Sequence, residues 1–135
     1  YSGGGNGLID RFARESDLAF RAYGLRLGHK HLAEMRKYAG LAKHPVFSPS
    51  VIPAFRGMLV DVPLSLEDSG IKVEAGAPSP FHIAWEGFYA GSKVVTVADE
   101  TRTDELLLRT TDAPFDGLAL YAFYDERSTQ ARLIA

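Results

Sequence analysis

Two spacings of apolar residues run along this chain, one near 3.6 residues and one of 2, and each predicts a different element. Leu8, Ile9, Phe12 and Ala13 share one side of a helical wheel, with Asp10, Arg11, Arg14 and Glu15 on the other, which predicts a helix capped by Asn6. Residues 19–27, AFRAYGLRL, alternate loosely and predict a strand ending at Gly28. In HKHLAEMRKYAG, Leu32, Met35 and Ala39 lie on one helical face and Gly40 stands where a left-handed residue closes a helix. His29 then falls at or just before that helix start.

Further on, Met58, Val60, Val62, Leu64 and Leu66 fall on one side of a period-2 pattern, with Asp61 and Ser65 on the other, predicting a long half-buried strand. Pro63 has no N–H for a ladder, so it must sit at an edge, at a bulge, or with its nitrogen turned away from a neighbour. Residues 67–79 read as a loop. A helix follows over 79–91, with Ser79 as cap, Pro80 in the first position, Phe81, Trp85 and Phe88 as a buried stripe and Gly91 at the close. KVVTVAD predicts a short strand, TDELLLR a turn or short helix, and residues 118–135 a hairpin whose first strand, apolar on both faces, is central or at a subunit contact. Strands outnumber helices without regular β-α-β-α alternation, and no repeat or linker marks a second domain. The expected class is α+β, a mixed, largely antiparallel sheet with helices packed on one face.

Composition narrows the partners. A chain of 135 residues with 46% hydrophobic and 24% charged residues fits one domain with one core, residues 1–135. Its 15 basic and 17 acidic residues, mixed in sign, offer no footprint for nucleic acid or anionic lipid. No apolar run approaches the ~20 residues of a membrane span and no charged segment precedes an apolar leader, so a cytoplasmic protein is expected. Zero cysteines leaves no disulfide, thiolate metal site or thiol nucleophile within the chain.

Three motifs carry candidate chemistry. In GHKH, His29 and His31 could be a metal pair, surface or cap histidines, or an acid/base imidazole at a helix start; with no cysteine and no carboxylate spaced to complete a ligand set, no metal is expected. YSGGG could cradle an anion on backbone N–H groups, or be a plain turn. Arg56, leading into the long strand, could clamp a carboxylate or phosphate in bidentate fashion, or be simply solvated. The aromatic residues of 79–91 belong to core packing.

Taken in order, YSGGG before a helix, GHKHLAEM, FSPSVIPAFRGMLVDVPL, a helix ending FYAG and the strand KVVTV resemble the N-acetyl-gamma-glutamyl-phosphate reductases of arginine biosynthesis, in their divergent branch. The likeness is strongest over 1–5, 28–35 and 47–64 and weaker beyond residue 70. It implies the fold group of glyceraldehyde-3-phosphate and aspartate-semialdehyde dehydrogenases, with an NADP-binding Rossmann domain and an inserted α+β catalytic and dimerisation domain. The chain would be that inserted domain alone, inactive by itself, with the nucleophilic cysteine and the GxGxxG motif lying in the rest of the parent enzyme.

The resemblance further implies that His29 assists proton movement at the thiolate and the developing oxyanion. His31 and Arg56 would hold a small acyl phosphate, Ser2, Gly3 and Gly4 would line the substrate side, and Gly5 would lie by the cofactor, NADP. Met58, Val60, Val62 and Tyr121 would make a homo-oligomer contact through the sheet face. Two rivals stay open: a non-catalytic oligomerisation or binding module of the same fold, and the equivalent domain of an aspartate-semialdehyde dehydrogenase.

Overall fold

The structure is a computed structural model that describes residues 4–74, 77–98, 105–107, 109, 111–124 and 129–135. Its residues gather into two compact units, Tyr1–Arg56 and Gly57–Ala135.

The first unit holds helix α1 (Gly5–Arg14), strand β1 (Arg21–Ala22), helix α2 (Leu32–Tyr38) and strand β2 (Ser50–Val51). Helix α1 begins earlier than its side chains suggest: Gly4, not Asn6, is the N-cap, because glycine accepts the cap conformation without a side-chain acceptor. Phe12 is its buried anchor, Leu8 and Ile9 are half-buried, and Ala13 is exposed. The strand expected over 19–27 shrinks to Arg21–Ala22, paired antiparallel with β2 in the register Arg21↔Val51 and Ala22↔Ser50. Its continuation is broken by a turn in which the Leu27 N–H bonds the Gly24 carbonyl at 2.8 Å.

Helix α2 forms where the wheel places it. His31 is its N-cap residue, and beyond its end the Leu41 N–H bonds the Arg36 carbonyl at 3.0 Å while the Gly40 N–H bonds the Lys37 carbonyl at 3.4 Å. That pair of bonds is a Schellman closure.

The second unit is built on a four-stranded sheet in the order β3-β6-β5-β4, from β3 (Asp61–Ser65), β4 (Val95–Val97), β5 (Leu118–Tyr124) and β6 (Gln130–Ile134). The β3–β6 and β6–β5 pairs are antiparallel and β4–β5 is parallel, a mixed and largely antiparallel sheet. The two-sided apolar strand, β5, lies between β6 and β4, the central position its composition calls for.

Register sorts the side chains of this sheet into two faces, because directly opposed residues share a side. Val62, Leu133 and Ala122 are opposed, as are Leu64, Ala131 and Tyr124. Most of these meet Leu66 of helix α3 (Leu66–Ser69) and Phe81 and Trp85 of helix α4 (Pro80–Phe88) in the core. Helices α3 and α4 therefore cover one face. The other carries Asp61, Pro63, Tyr121, Phe123, Arg132 and Ile134. There the Tyr121 and Phe123 rings lie parallel within 5° and 6.1 Å apart, and Arg132 Nη2 meets Asp61 Oδ2 at 2.6 Å. The Asp61 hydrogen bond, and then its charge, raise the Arg132 pKa above its ordinary value, so the pair persists up to strongly alkaline pH; being exposed, it adds little stability.

Four expectations in this unit are corrected. The long strand is five residues, with Met58 and Val60 outside it; Val60 nevertheless exchanges both backbone bonds with Ala135, at 2.8 and 2.9 Å. The loop at 67–79 starts as helix α3, because Ser65 Oγ accepts the Asp68 N–H and caps it. Phe88 is 80% exposed at the last residue of α4, its ring edge-on to Tyr89, so the inward stripe is the buried Phe81 with a half-buried Trp85. Lastly, Val60 and Val62 point to the side covered by α3 and α4 and Tyr121 to the opposite one, so the expected contact strip of Met58, Val60, Val62 and Tyr121 does not lie on one face. Of TDELLLR, residues 105–107 and 109 are irregular and the rest lies outside the described residues.

Candidate functional site

Three aromatic rings of the first unit, from Tyr23, His31 and Phe47, gather around His29. Pairing of β1 with β2 brings residues 47–51 alongside 21–23, and the Tyr23 N–H bonds the Pro49 carbonyl at 3.1 Å. Gly24, at φ +66°, lies so close to Pro49 that an added Cβ would come within 3.3 Å of its ring. Leu27 then adopts φ +58°, a conformation rare for a non-glycine residue, and the chain is delivered through Gly28 to a half-buried His29.

Around that imidazole stand three rings: Phe47 at 4.9 Å between centroids, His31 at 4.8 Å and edge-on, and Tyr23 at 5.9 Å. The Tyr23 ring also carries the Arg21 guanidinium, 4.6 Å from its centroid. His29 Nδ1 accepts the backbone N–H of His31 at 3.3 Å, and the His29 carbonyl accepts the N–H of Leu32, the first residue of α2, at 3.1 Å.

Of the sequence-predicted site residues, His29 and His31 come together, as described. Arg56 is exposed and lays its guanidinium over the Phe55 ring at 5.4 Å. Gly4 caps α1 so closely that a Cβ would run into the Leu8 side chain, whereas a Cβ on Gly5, at φ +67°, would meet open space. Among the described residues no side chain caps the start of α1, and no acidic residue lies in its first turn. Ser2 and Gly3 lie outside the described residues.

Sequence reasoning passed over Tyr23 and Phe47. Their only local signal is aromatic character, and the pairing that unites them involves two residues per strand, too short to show a period. The remaining histidines have other surroundings. His82 Nε2 donates to the Ala98 carbonyl at 2.6 Å, tying α4 to the end of β4, and His44 is exposed. Among the described residues no group of three or more His, Cys, Asp or Glu is arranged to hold a metal. No helix among them is long and apolar enough to cross a membrane.

Comparison with known proteins bears on what this site serves. The family model "Semialdehyde dehydrogenase, dimerisation domain" matches residues 1–129. The chain belongs to this family. Among curated proteins, it is similar to the N-acetyl-gamma-glutamyl-phosphate reductases of Trichormus variabilis, 32% identical over 157 residues, of Allorhizobium ampelinum, 37% over 146, and of Rhizobium meliloti, 35% over 143. Each match takes in the whole chain and 45% of the relative, so this semialdehyde dehydrogenase dimerisation domain spans about half the length of the proteins it resembles. No solved structure matches. The α+β class expected from the apolar pattern is the one found, and the resemblance read from the motifs agrees with the reductase relatives.

Proposed function

We propose that residues 1–135 form the catalytic and dimerisation domain of a cytoplasmic, NADP-dependent N-acetyl-gamma-glutamyl-phosphate reductase, which converts an acyl phosphate to a semialdehyde. The observation that carries this is the family match over 1–129 taken with the names of the relatives. The aromatic enclosure of His29 supports it, since a reaction centre needs an imidazole whose ring is held in place.

In this reading a cysteine thiolate from the rest of the enzyme displaces phosphate from the substrate, and His29 serves the reacting centre. His31 and Arg56 hold the substrate's anionic groups, Arg56 by a bidentate contact, and Ser2, Gly3 and Gly4 line the substrate side. The uncapped α1 start and the open space over Gly5 suit one edge of a dinucleotide, whose main binding domain is the N-terminal Rossmann partner. When bound, NADPH supplies the hydride that yields the semialdehyde. Subunits pair through the sheet face opposite α3 and α4, around Tyr121 and Phe123 rather than Val60 and Val62.

The complete reductase chain, given NADPH, is expected to turn over N-acetyl-gamma-glutamyl phosphate far faster than aspartyl phosphate, measured as loss of NADPH absorbance. Preference for aspartyl phosphate would move the domain to aspartate-semialdehyde dehydrogenase. No turnover of either would favour a non-catalytic module.

A further inference from the structure

We propose that Arg21 is an oxyanion-binding residue of this site, its guanidinium held against the Tyr23 ring so that its N–H fork takes an anionic group of the substrate. The proposal rests on the reductase reading and adds to it a contact residue on β1.

Residues two apart in an extended strand point the same way, so Arg21 and Tyr23 share the half-buried side of β1 while Ala22 is exposed. The antiparallel register sets Arg21 against Val51, and half-burial alternates along the opposing chain at Pro45, Phe47, Pro49 and Val51. The Arg21 guanidinium lies 4.6 Å from the centre of the Tyr23 ring, and that ring lies 5.9 Å from the imidazole of His29. A single ring thus links the cation to His29.

Stacking holds the guanidinium but leaves its donors unmatched. A π face attracts positive charge, whereas the N–H groups form a fork shaped for a carboxylate or a phosphate. The first unit holds nine of the chain's 15 Lys and Arg but only four of its 17 Asp and Glu, namely Asp10, Glu15, Asp17 and Glu34. All four are exposed, Glu15 binds Arg11, and among the described residues none pairs with Arg21. Partial burial strips water from the Arg21 head group, and an incoming oxyanion replaces that water with charge-assisted hydrogen bonds. The surplus positive charge around it draws the same kind of ligand. The acyl phosphate of the reductase reading carries two such groups, a carboxylate and the phosphoryl group, which gives Arg21 and Arg56 one each to hold.

The complete reductase, run in reverse with semialdehyde, inorganic phosphate and NADP, separates the two groups, because the semialdehyde keeps the carboxylate and phosphate is added on its own. Arg21→Gln should raise one of these two KM values about 10- to 100-fold with kcat within about threefold of native, the mark of a charge-assisted contact made equally in ground and transition states. A raised semialdehyde KM assigns Arg21 to the carboxylate, and a raised phosphate KM assigns it to the phosphoryl group. Both KM values unchanged, or a fall in kcat alone, would overturn the proposal and leave the reductase reading intact; a native enzyme without turnover in either direction would overturn that reading and the proposal with it. Arg21→Lys keeps the charge without the fork and should raise the same KM by a smaller factor, which supplies the test should the glutamine variant not fold. A native KM in the folded lysine variant would overturn recognition by the fork. Arg26→Gln removes an exposed charge from the same unit and should change either KM by less than about twofold. A rise equal to that of Arg21→Gln would make the effect one of net charge and overturn the contact.

Discussion

Leu27 shows how a single residue shapes the approach to His29. A leucine at φ +58° carries ~1–2 kcal/mol of backbone strain that glycine would not, and its side chain, 67% exposed, gives little packing in return. Leu27→Gly should therefore leave the melting temperature unchanged or raise it slightly, even after the added freedom of the unfolded chain, whereas Leu27→Val, β-branched at a positive φ, should lose about 1 kcal/mol of stability. Thermal denaturation of both variants checks this, and a glycine variant less stable than the valine one would refute it. At this scale the sequence was readable wherever the cause was local: Ser79 caps α4 through the His82 N–H, and Gly40 closes α2. It was not readable where the cause was distant. Nothing in YGLRLGH says that Phe47, far along the chain from His29, will stand 4.9 Å from its ring.

Among the elements, β3 explains what its proline is for. Val60 exchanges both backbone bonds with Ala135, and the Leu66 N–H reaches the Thr129 carbonyl at 2.6 Å, so the even-numbered residues of this strand turn their backbone groups toward β6. Asp61, Pro63 and Ser65 turn theirs to the open edge of the sheet, where β3 is the outermost strand. Pro63 thus removes a donor from an edge where another strand could add, at no cost to the ladder. Pro63→Val restores that donor and should increase concentration-dependent aggregation, read by light scattering during mild heating; a variant that scatters no more than the native chain would contradict the edge role. The strand itself was legible from its alternation, but its length was not. Leu66 continues the period-2 pattern while belonging to the next helix, and the marker that separates them, SLED with Ser65 capping Asp68, is a capping pattern hidden inside an apparent strand end.

At the scale of the molecule, the second unit has one sheet face on which α3 and α4 pack, leaving Val60 and Val62 exposed, and another that presents a parallel Tyr121 and Phe123 pair beside Pro63 and the Asp61–Arg132 ion pair. An aromatic surface of this kind suits pairing with its own copy, and the family to which the chain belongs is a dimerisation domain. Composition and alternation revealed that β5 is apolar on both sides, but which residues share a face depends on register, and register comes from the β3–β6–β5 pairing that no local pattern specifies. The most direct measurement is sedimentation equilibrium of the chain at tens of micromolar, alongside Phe123→Glu and Val60→Lys. A dimer for the native chain, a folded monomer for Phe123→Glu and an intact dimer for Val60→Lys are expected, because of these two residues only Phe123 lies on the face opposite α3 and α4. A native monomer, or a Phe123→Glu chain that remains dimeric, would contradict pairing through that face.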